Sequence, residues 1–360
     1  MTQDNELAAI DIFSGAGGMS VGAALAGINV KVSIELDKHA ADTYKVNHPN
    51  TKVLQADIST VNPLEHIEKH PFILFGGPPC QGFSLANTRT RSLENPNNWM
   101  FKEYLRFVDT LKPEWFVFEN VEGFASFNNG EFSKDVKDEL KQLGYTISSR
   151  ILNASDYGVP QNRFRYFIVG HKINSGGIEF DFNALEIKPS VNVYDAIFDL
   201  PLLKNGQMSE QLKYKCEPQN EYAQFLRSGM SHSTQNFVSK NNETVIERYK
   251  VIKQGQNWKA AKEQGLMTTY TSTHNTHSGI YKRLEYKGKA PTISNYRKSM
   301  IIHPTQHRGL SLREAARIQS FPDSYQFMGP LSYMQQQVGN AVPPLLAKAI
   351  FEKVVLLSKK

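Results

Sequence analysis

Phe72-Ile73-Leu74-Phe75-Gly76-Gly77-Pro78-Pro79-Cys80-Gln81-Gly82-Phe83-Ser84 passes without a break from apolar residues into a cluster of glycine and proline. A short apolar run bounded by such residues reads as a buried strand, here Phe72–Gly76. A tight turn must follow, in which glycine permits close backbone approach and proline fixes φ. Cys80, one of only 2 cysteines in the chain, sits in that turn. A thiol presented where a strand opens onto a loop is placed for nucleophilic chemistry. The plainer alternative is a packed structural cysteine, since free cysteine is among the most buried residue types.

The pattern repeats on either side of this stretch. Ala8–Phe13, Val30–Leu36, Thr51–Gln55 and Trp115–Glu119 read as further strands. Helical stretches separate them, notably Met19–Ala26, Lys38–Asn47 and Trp99–Leu111, and another helix near Glu131–Leu143 precedes strands near Tyr145–Leu152 and Arg165–Val169. Such alternation predicts an α/β fold with a doubly wound, mostly parallel sheet. From His171 to about residue 290 the chain is richer in Asn, Gln, Ser, Thr, Lys and Tyr, without a clear period. Periodicity returns at Ser311, where Ser311-Leu312-Arg313-Glu314 has the spacing of a capping box. A last helix is expected from about Pro343 to Lys353. The organisation predicted is a catalytic domain of residues 1–170 and 300–360, interrupted by a smaller inserted domain of residues 171–299.

Three features lie at successive strand ends. Phe13-Ser14-Gly15-Ala16-Gly17-Gly18 follows the first strand and opens a helix, so its glycines let a ligand lie against backbone. Ser20 occupies the place where a dinucleotide fingerprint would have its third glycine. Glu35 closes the second strand and can accept hydrogen bonds from a ribose diol. Asp57-Ile58, after the third, can pair with an adenine amino group and cover the ring. Singly these read as turn glycines or helix-capping acids; in sequence they point to an adenosine ligand at the carboxyl edge of the sheet.

The segment around Cys80 resembles the catalytic motif of the cytosine-5 DNA methyltransferases of bacterial restriction-modification type. Asp11–Gly18, Glu119-Asn120-Val121, Gln161-Asn162-Arg163-Phe164-Arg165, Arg313–Pro322 and Gly339-Asn340-Ala341-Val342-Pro343 look like that family's other blocks, in its order. Together they frame residues from about 8 to about 355. The resemblance implies S-adenosylmethionine as cofactor, held by Phe13, Ser14, Gly15, Gly17, Gly18, Glu35, Asp57, Ile58, Pro78 and Asn340, with Met100 a less regular match. It implies Cys80 as the nucleophile toward carbon 6 of cytosine and Glu119 as the acid beside N3. Arg165 would hold the cytosine O2, and Arg163 would order the site or pair with Glu119 or phosphate. Double-stranded DNA is the implied partner, with the target base rotated out of the helix. The stretch from Ser84 to about Asn98 reads as a loop that closes behind the base, with Ser84, Arg89 and Arg91 toward DNA. The inserted domain corresponds to target recognition. A restriction endonuclease acting separately is the natural companion, and a monomer is expected of an asymmetric reader. Two alternatives stay open: a transfer-RNA methyltransferase of the same family, and a binding module without catalysis.

Composition agrees with this reading. The chain has 360 residues, 40% hydrophobic and 21% charged, ordinary for globular material. Its net charge is +6, and the segment Lys240–Lys289 alone holds 10 Lys and Arg against 4 Asp and Glu. A local basic surplus suits a polyanionic partner. The polar start Met1–Glu6 does not resemble a signal peptide, and no apolar run approaches the roughly 18 residues of a membrane helix. With Cys80 and Cys216 alone, no disulfide framework is available and a reducing cytoplasm fits. His274 and His277 lack the cysteine or acid company of a metal site, so none is expected.

Overall fold

The computed structural model describes residues 7–66, 70–79, 100–268, 277–294 and 296–359. Cys80, Ser84, Arg89, Arg91, Trp99 and His274 lie outside the described residues. The chain forms two compact units. One comprises Met1–Tyr157, Phe164–Ile187 and Pro344–Lys360, the other Gly158–Arg163 and Lys188–Pro343.

The first unit is built on a seven-stranded sheet in the order β3-β2-β1-β4-β5-β7-β6. Its strands are β1 Ala8–Ile12, β2 Asn29–Glu35, β3 Lys52–Gln55, β4 Ile73–Gly76, β5 Trp115–Val121, β6 Tyr145–Asn153 and β7 Phe164–Lys172. β1 to β5 pair in parallel, whereas β7 runs antiparallel to both β5 and β6. Ile73, Leu74, Phe75 and Trp115–Phe118 are all fully buried, as expected of central strands covered on both faces.

Helices supply the cover. They are α1 Gly18–Leu25, α2 Lys38–Asn47, the single turn α3 Pro63–His66, α4 Met100–Leu111, the short α5 Glu122–Ser126 and α6 Glu131–Gln142. α2 starts where Asp37 accepts the Ala40 N–H at 2.8 Å, an N-cap that satisfies one orphan donor of the first turn. α4 buries Phe101, Tyr104, Leu105, Val108 and Leu111, the three-and-four spacing of an amphipathic helix. The strand order reverses between β1 and β4: the chain moves outward one way through β2 and β3, then returns to the other side of β1. In open α/β sheets the loops leaving the carboxyl ends on either side of such a point diverge and leave a crevice. The glycine-rich loop follows β1 and the Gly77-Pro78-Pro79 turn follows β4, so the topology itself brings these two described stretches to one edge.

The second unit carries a two-stranded antiparallel sheet, β8 Met208–Lys213 with β9 His232–Phe237. Around it lie α7 Val193–Ile197, α8 Glu221–Arg227, α9 Glu243–Val251, α10 Trp258–Glu263, α11 Leu312–Ile318 and α12 Leu331–Asn340. Val245, Tyr249, Ile252, Trp258, Ala261, Met267, Tyr281 and Ile302 form one of its apolar clusters. α11 begins with the capping box expected from the sequence: Ser311 Oγ accepts the Glu314 N–H, and Glu314 accepts the Ser311 N–H. The helix is tied down by charge. Arg317, fully buried, pairs with Asp199 and Asp323, each at 2.6 Å, while Arg308 holds Glu314 through two guanidinium nitrogens at 2.6 and 2.8 Å. α13, Pro344–Ser358, belongs to the first unit and packs on α1, where Gly22 leaves no room for a Cβ beside Pro344 O and Ala347.

The unit boundaries therefore lie elsewhere than at residues 171 and 299–300. Residues 171–187 remain with the first unit, because β7 pairs with β5 and β6 to its end. Residues 300–343 fall in the second because the partners of Arg313, Glu314 and Arg317 all lie there. The α11 charges thus stabilise the interior of the second unit.

Candidate active site

Immediately after β1 the chain turns through left-handed conformations at Phe13 (φ 58°), Gly15 (φ 53°) and Gly17 (φ 78°). For phenylalanine this conformation costs roughly 1–2 kcal/mol relative to ordinary backbone. The surroundings hold it: Ser14 N donates to Ile34 O at 3.2 Å, and Ser33 Oγ to Ser14 Oγ at 2.7 Å. Gly15 N donates to Glu35 Oε2 at 2.7 Å, and Asp37 N to Glu35 Oε1 at 2.7 Å. Glu35 therefore joins the glycine loop to the end of β2. Burial raises its carboxyl above the ordinary value, and the backbone N–H groups of Asp37 and Gly15 oppose that shift. Beneath the loop, Ser20 Oγ donates to Asp11 Oδ2 at 2.6 Å and meets Tyr44 Oη at 2.5 Å. Burial pushes Asp11 well up; Ser20 counteracts this and the Glu35 charge adds to it.

After β3, Asp57 accepts both the N–H and the hydroxyl of Ser59 on Oδ1, at 2.9 and 2.8 Å, which lowers its pKa. Ile58 is buried in the sheet's core, and Met100 packs partly buried against the same cluster. Gly18 is the first residue of α1.

The turn after β4 meets the end of β5. A Cβ on Gly77 would collide with Oε2 of Glu119, and the Asn120 side-chain amide donates to Pro78 O at 3.3 Å. Arg165 Nε pairs with Glu119 Oε1 at 3.0 Å, the two side chains only 10% and 11% exposed, and Arg165 Nη1 donates to Phe164 O at 2.8 Å. Burial lowers the Arg165 pKa, while the charges of Glu119 and Glu122 resist that change. A carboxylate, a guanidinium and a glycine-proline turn thus converge at the carboxyl edge of β4 and β5.

Arg163 has different company. Fully buried in the second unit, its Nη2 donates to the carbonyls of Gly339 and Asn340 at 2.8 and 3.3 Å. Gln319 Nε2 donates to Val338 O and Ala341 O at 2.7 and 3.3 Å, and Gln161 Nε2 to Gln319 Oε1 at 2.8 Å. Buried side chains thereby satisfy the orphan carbonyls at the end of α12. Of the two arginines in the Gln161–Arg165 block, Arg165 is the one paired with Glu119. The sequence reading quoted Asn120 and Gln161 within their motifs without giving either a role. The signal available was polarity inside otherwise apolar elements: buried amides need partners.

Comparison with known proteins follows from these features. The family described as C-5 cytosine-specific DNA methylase matches residues 7–356. The chain is 35% identical to the type II methyltransferase M.DdeI of Desulfomicrobium norvegicum, over 96% of this chain and 88% of that protein. It is 36% identical to the type II methyltransferase M1.HphI of Haemophilus parahaemolyticus, over 97% and 87%. A crystal structure of a protein assigned as a DNA modification methyltransferase, encoded within a prophage of E. coli, superimposes with a TM-score of 0.81 at 27% identity, covering 98% of this chain and 100% of that one.

Proposed function

Because the chain belongs to the C-5 cytosine-specific DNA methylase family, we propose that it methylates one cytosine of a short duplex sequence through a covalent Cys80 adduct. It is a DNA cytosine-5 methyltransferase, similar to type II restriction-modification enzymes, and S-adenosylmethionine is the methyl donor. The observation that carries the finer reading is the Glu119–Arg165 pair beside the Gly77–Pro78 turn.

The residues after β1, β2 and β3 fit the cofactor. Each Glu35 oxygen takes one backbone N–H and retains lone-pair capacity for a ribose hydroxyl. Both bonds to Asp57 fall on Oδ1, leaving Oδ2 for an adenine amino group. A Cβ on Gly15 would meet nothing within 4 Å, so the loop is open on that side. Phe13, Ser14, Gly17, Gly18, Ile58, Pro78, Met100 and Asn340 complete the proposed cofactor set.

Cytosine carbon 5 is too electron-poor to attack a methyl group unaided. Cys80 reacts as thiolate, its proton gone to solvent, and forms a bond to carbon 6 of the extruded base. The displaced electron pair runs through carbons 5 and 4 to N3, which takes a proton from Glu119. Such general acid catalysis contributes about 10²–10⁴-fold. Arg165 steadies the ring by donating from Nη2 to O2, since Nε serves Glu119 and Nη1 serves Phe164 O. Carbon 5, now part of an enamine, takes the methyl group that bound S-adenosylmethionine supplies. Solvent then removes the carbon-5 proton, the electron pair re-forms the ring double bond, and Cys80 departs as thiolate while N3 returns its proton to Glu119. Arg163 is assigned an ordering role through the α12 carbonyls it holds within the second unit. Ser84, Arg89 and Arg91 are assigned to DNA, and sequence reading to residues 171–299, most of which lie in the second unit. A separate endonuclease would make this the protective half of a restriction system, acting as a monomer in the cytoplasm.

The test is expression in a bacterium without DNA methylation, followed by genome sequencing that reports 5-methylcytosine. Marks confined to one short motif, absent with Cys80→Ser, are expected. Marks that persist in Cys80→Ser would remove the covalent route, and an unmarked genome would remove the activity on DNA.

A further inference from the structure

We infer that Asn120 is a positioning residue for methyl transfer: its buried amide ties down the Pro78 carbonyl and sets the turn leading to Cys80 against the Glu119 carboxylate. The ladder between β4 and β5 ends at Gly76 opposite Phe118. It cannot continue by the usual means, because Pro78 and Pro79 have no N–H to donate. A side chain replaces the missing ladder bond. Asn120, 3% exposed, donates from Nδ2 to Pro78 O at 3.3 Å and accepts the Val121 N–H on Oδ1 at 2.8 Å. The second bond also fixes which end of the amide faces Pro78, since a backbone N–H can only donate. One residue earlier on each strand, Gly77 lies against Glu119 Oε2 so closely that no Cβ fits. Consecutive residues of β5 therefore grip consecutive residues of the turn, one through a hydrogen bond and one through steric contact. The consequence is a fixed relation between the proposed acid and the backbone that delivers the proposed nucleophile. A misplacement of about 1 Å between reacting groups can cost about 10²-fold in rate.

This inference rests on the reading of Cys80 as nucleophile, so the test separates the two. Plasmid DNA from a methylation-deficient host, tritiated at cytosine carbon 5, is incubated with enzyme and S-adenosylhomocysteine. Release of tritium to water then reports thiolate addition without methyl transfer. Asn120→Asp keeps the shape and the acceptor for Val121 but loses the donor to Pro78. Tritium release and kcat are expected to fall together by about 10- to 100-fold, while KM for DNA and affinity for S-adenosylhomocysteine stay at wild-type values. The thermal midpoint falls, since the new carboxylate is buried facing a carbonyl, so the rates are compared well below it. Gly77→Ala, which displaces Glu119 directly, should show the same split. Wild-type exchange in Asn120→Asp overturns the positioning role, as does a loss of affinity for DNA or S-adenosylhomocysteine in proportion to rate. No exchange by the wild-type enzyme, or exchange retained in Cys80→Ser, instead overturns the covalent reading on which the inference stands.

Discussion

Both carboxylate oxygens of Glu35 accept a backbone N–H, from Gly15 and Asp37, each at 2.7 Å. A neutral amide cannot reproduce this, because one of its two ends is itself a donor. Glu35→Gln should therefore leave one backbone N–H facing an NH₂ group and loosen the loop after β1. Hydrogen bonds to charged groups contribute about 1.5–3 kcal/mol each. Affinity for S-adenosylhomocysteine, measured by titration calorimetry without DNA, is expected to fall by at least about 10-fold. An unchanged affinity would take Glu35 out of the cofactor site. At this scale the sequence was informative where a residue type is chemically singular. Glu35, Glu119 and Arg165 sit at strand ends that the apolar runs already delimit, and all three prove to be bonded to neighbouring motifs. The pairing of Arg165 rather than Arg163 with Glu119 was not legible. Alternation along β7 and its lead-in puts both arginines inward, and which partner each finds depends on tertiary packing.

Among the elements, the strands of the first unit were read to within a few residues, because short apolar runs such as Phe72–Phe75 and Trp115–Phe118, or alternation as in Val30–Ile34, leave few alternatives. The elements of the second unit were read as a polar stretch without period. Yet four of its helices start on asparagine: Asn192, Asn220, Asn242 and Asn257 cap α7, α8, α9 and α10, each accepting a backbone N–H of the first turn. The richness in asparagine that left this stretch without a clear period was in part a set of helix starts. Asparagine is among the strongest N-cap residues, since its side chain competes well for the orphan donors. The helices escaped the periodicity search because they run only five to nine residues, too short for an apolar stripe to declare itself. Asn242 offers a clean test. Its Oδ1 accepts Val245 N at 3.0 Å, and α9 contributes Val245 and Tyr249 to the apolar cluster around Trp258. Asn242→Ala is expected to destabilise the second unit by about 1 kcal/mol. Asn242→Asp should restore most of that, since an acid at a helix start also favours the dipole. Urea unfolding of the three proteins decides, and equal midpoints would deny the cap any weight.

Two compact units in one molecule need not share one pH response: burial depresses a histidine to about 4 in each, His48 in the first and His303 in the second, but the Arg308–Glu314 pair belongs to the second alone. His303 is 3% exposed, and burial depresses its pKa from 6.5 to about 4, with the Glu314 charge opposing that shift. The fold therefore keeps this ring neutral where the unfolded chain would protonate it. Stability it contributes is present above pH 6.5 and is lost as pH falls toward 4, by on the order of 3 kcal/mol at 1.36 kcal/mol per pKa unit. Burial would raise Glu314, but the charge and hydrogen bonds of Arg308 outweigh it and hold the carboxyl down from 4.5 to about 2. This second contribution is present above pH 4.5 and disappears as pH falls toward 2. Both groups lie in the second unit, so acid should open that unit in two successive windows. Hydrogen exchange read by mass spectrometry between pH 7 and pH 2 is expected to show both units losing protection toward pH 4, and peptides of residues 188–343 losing more than those of β4 and β5 below pH 4.5. Arg308→Met sharpens the case, because it strands a carboxylate that is 1% exposed. Removing one partner of a buried pair costs about 3–5 kcal/mol, and the variant's loss of protection should begin at a higher pH than the wild type's. Uniform loss across both units below pH 4.5 would mean that they unfold as one body, and that the Arg308–Glu314 pair protects the whole chain rather than the unit that contains it.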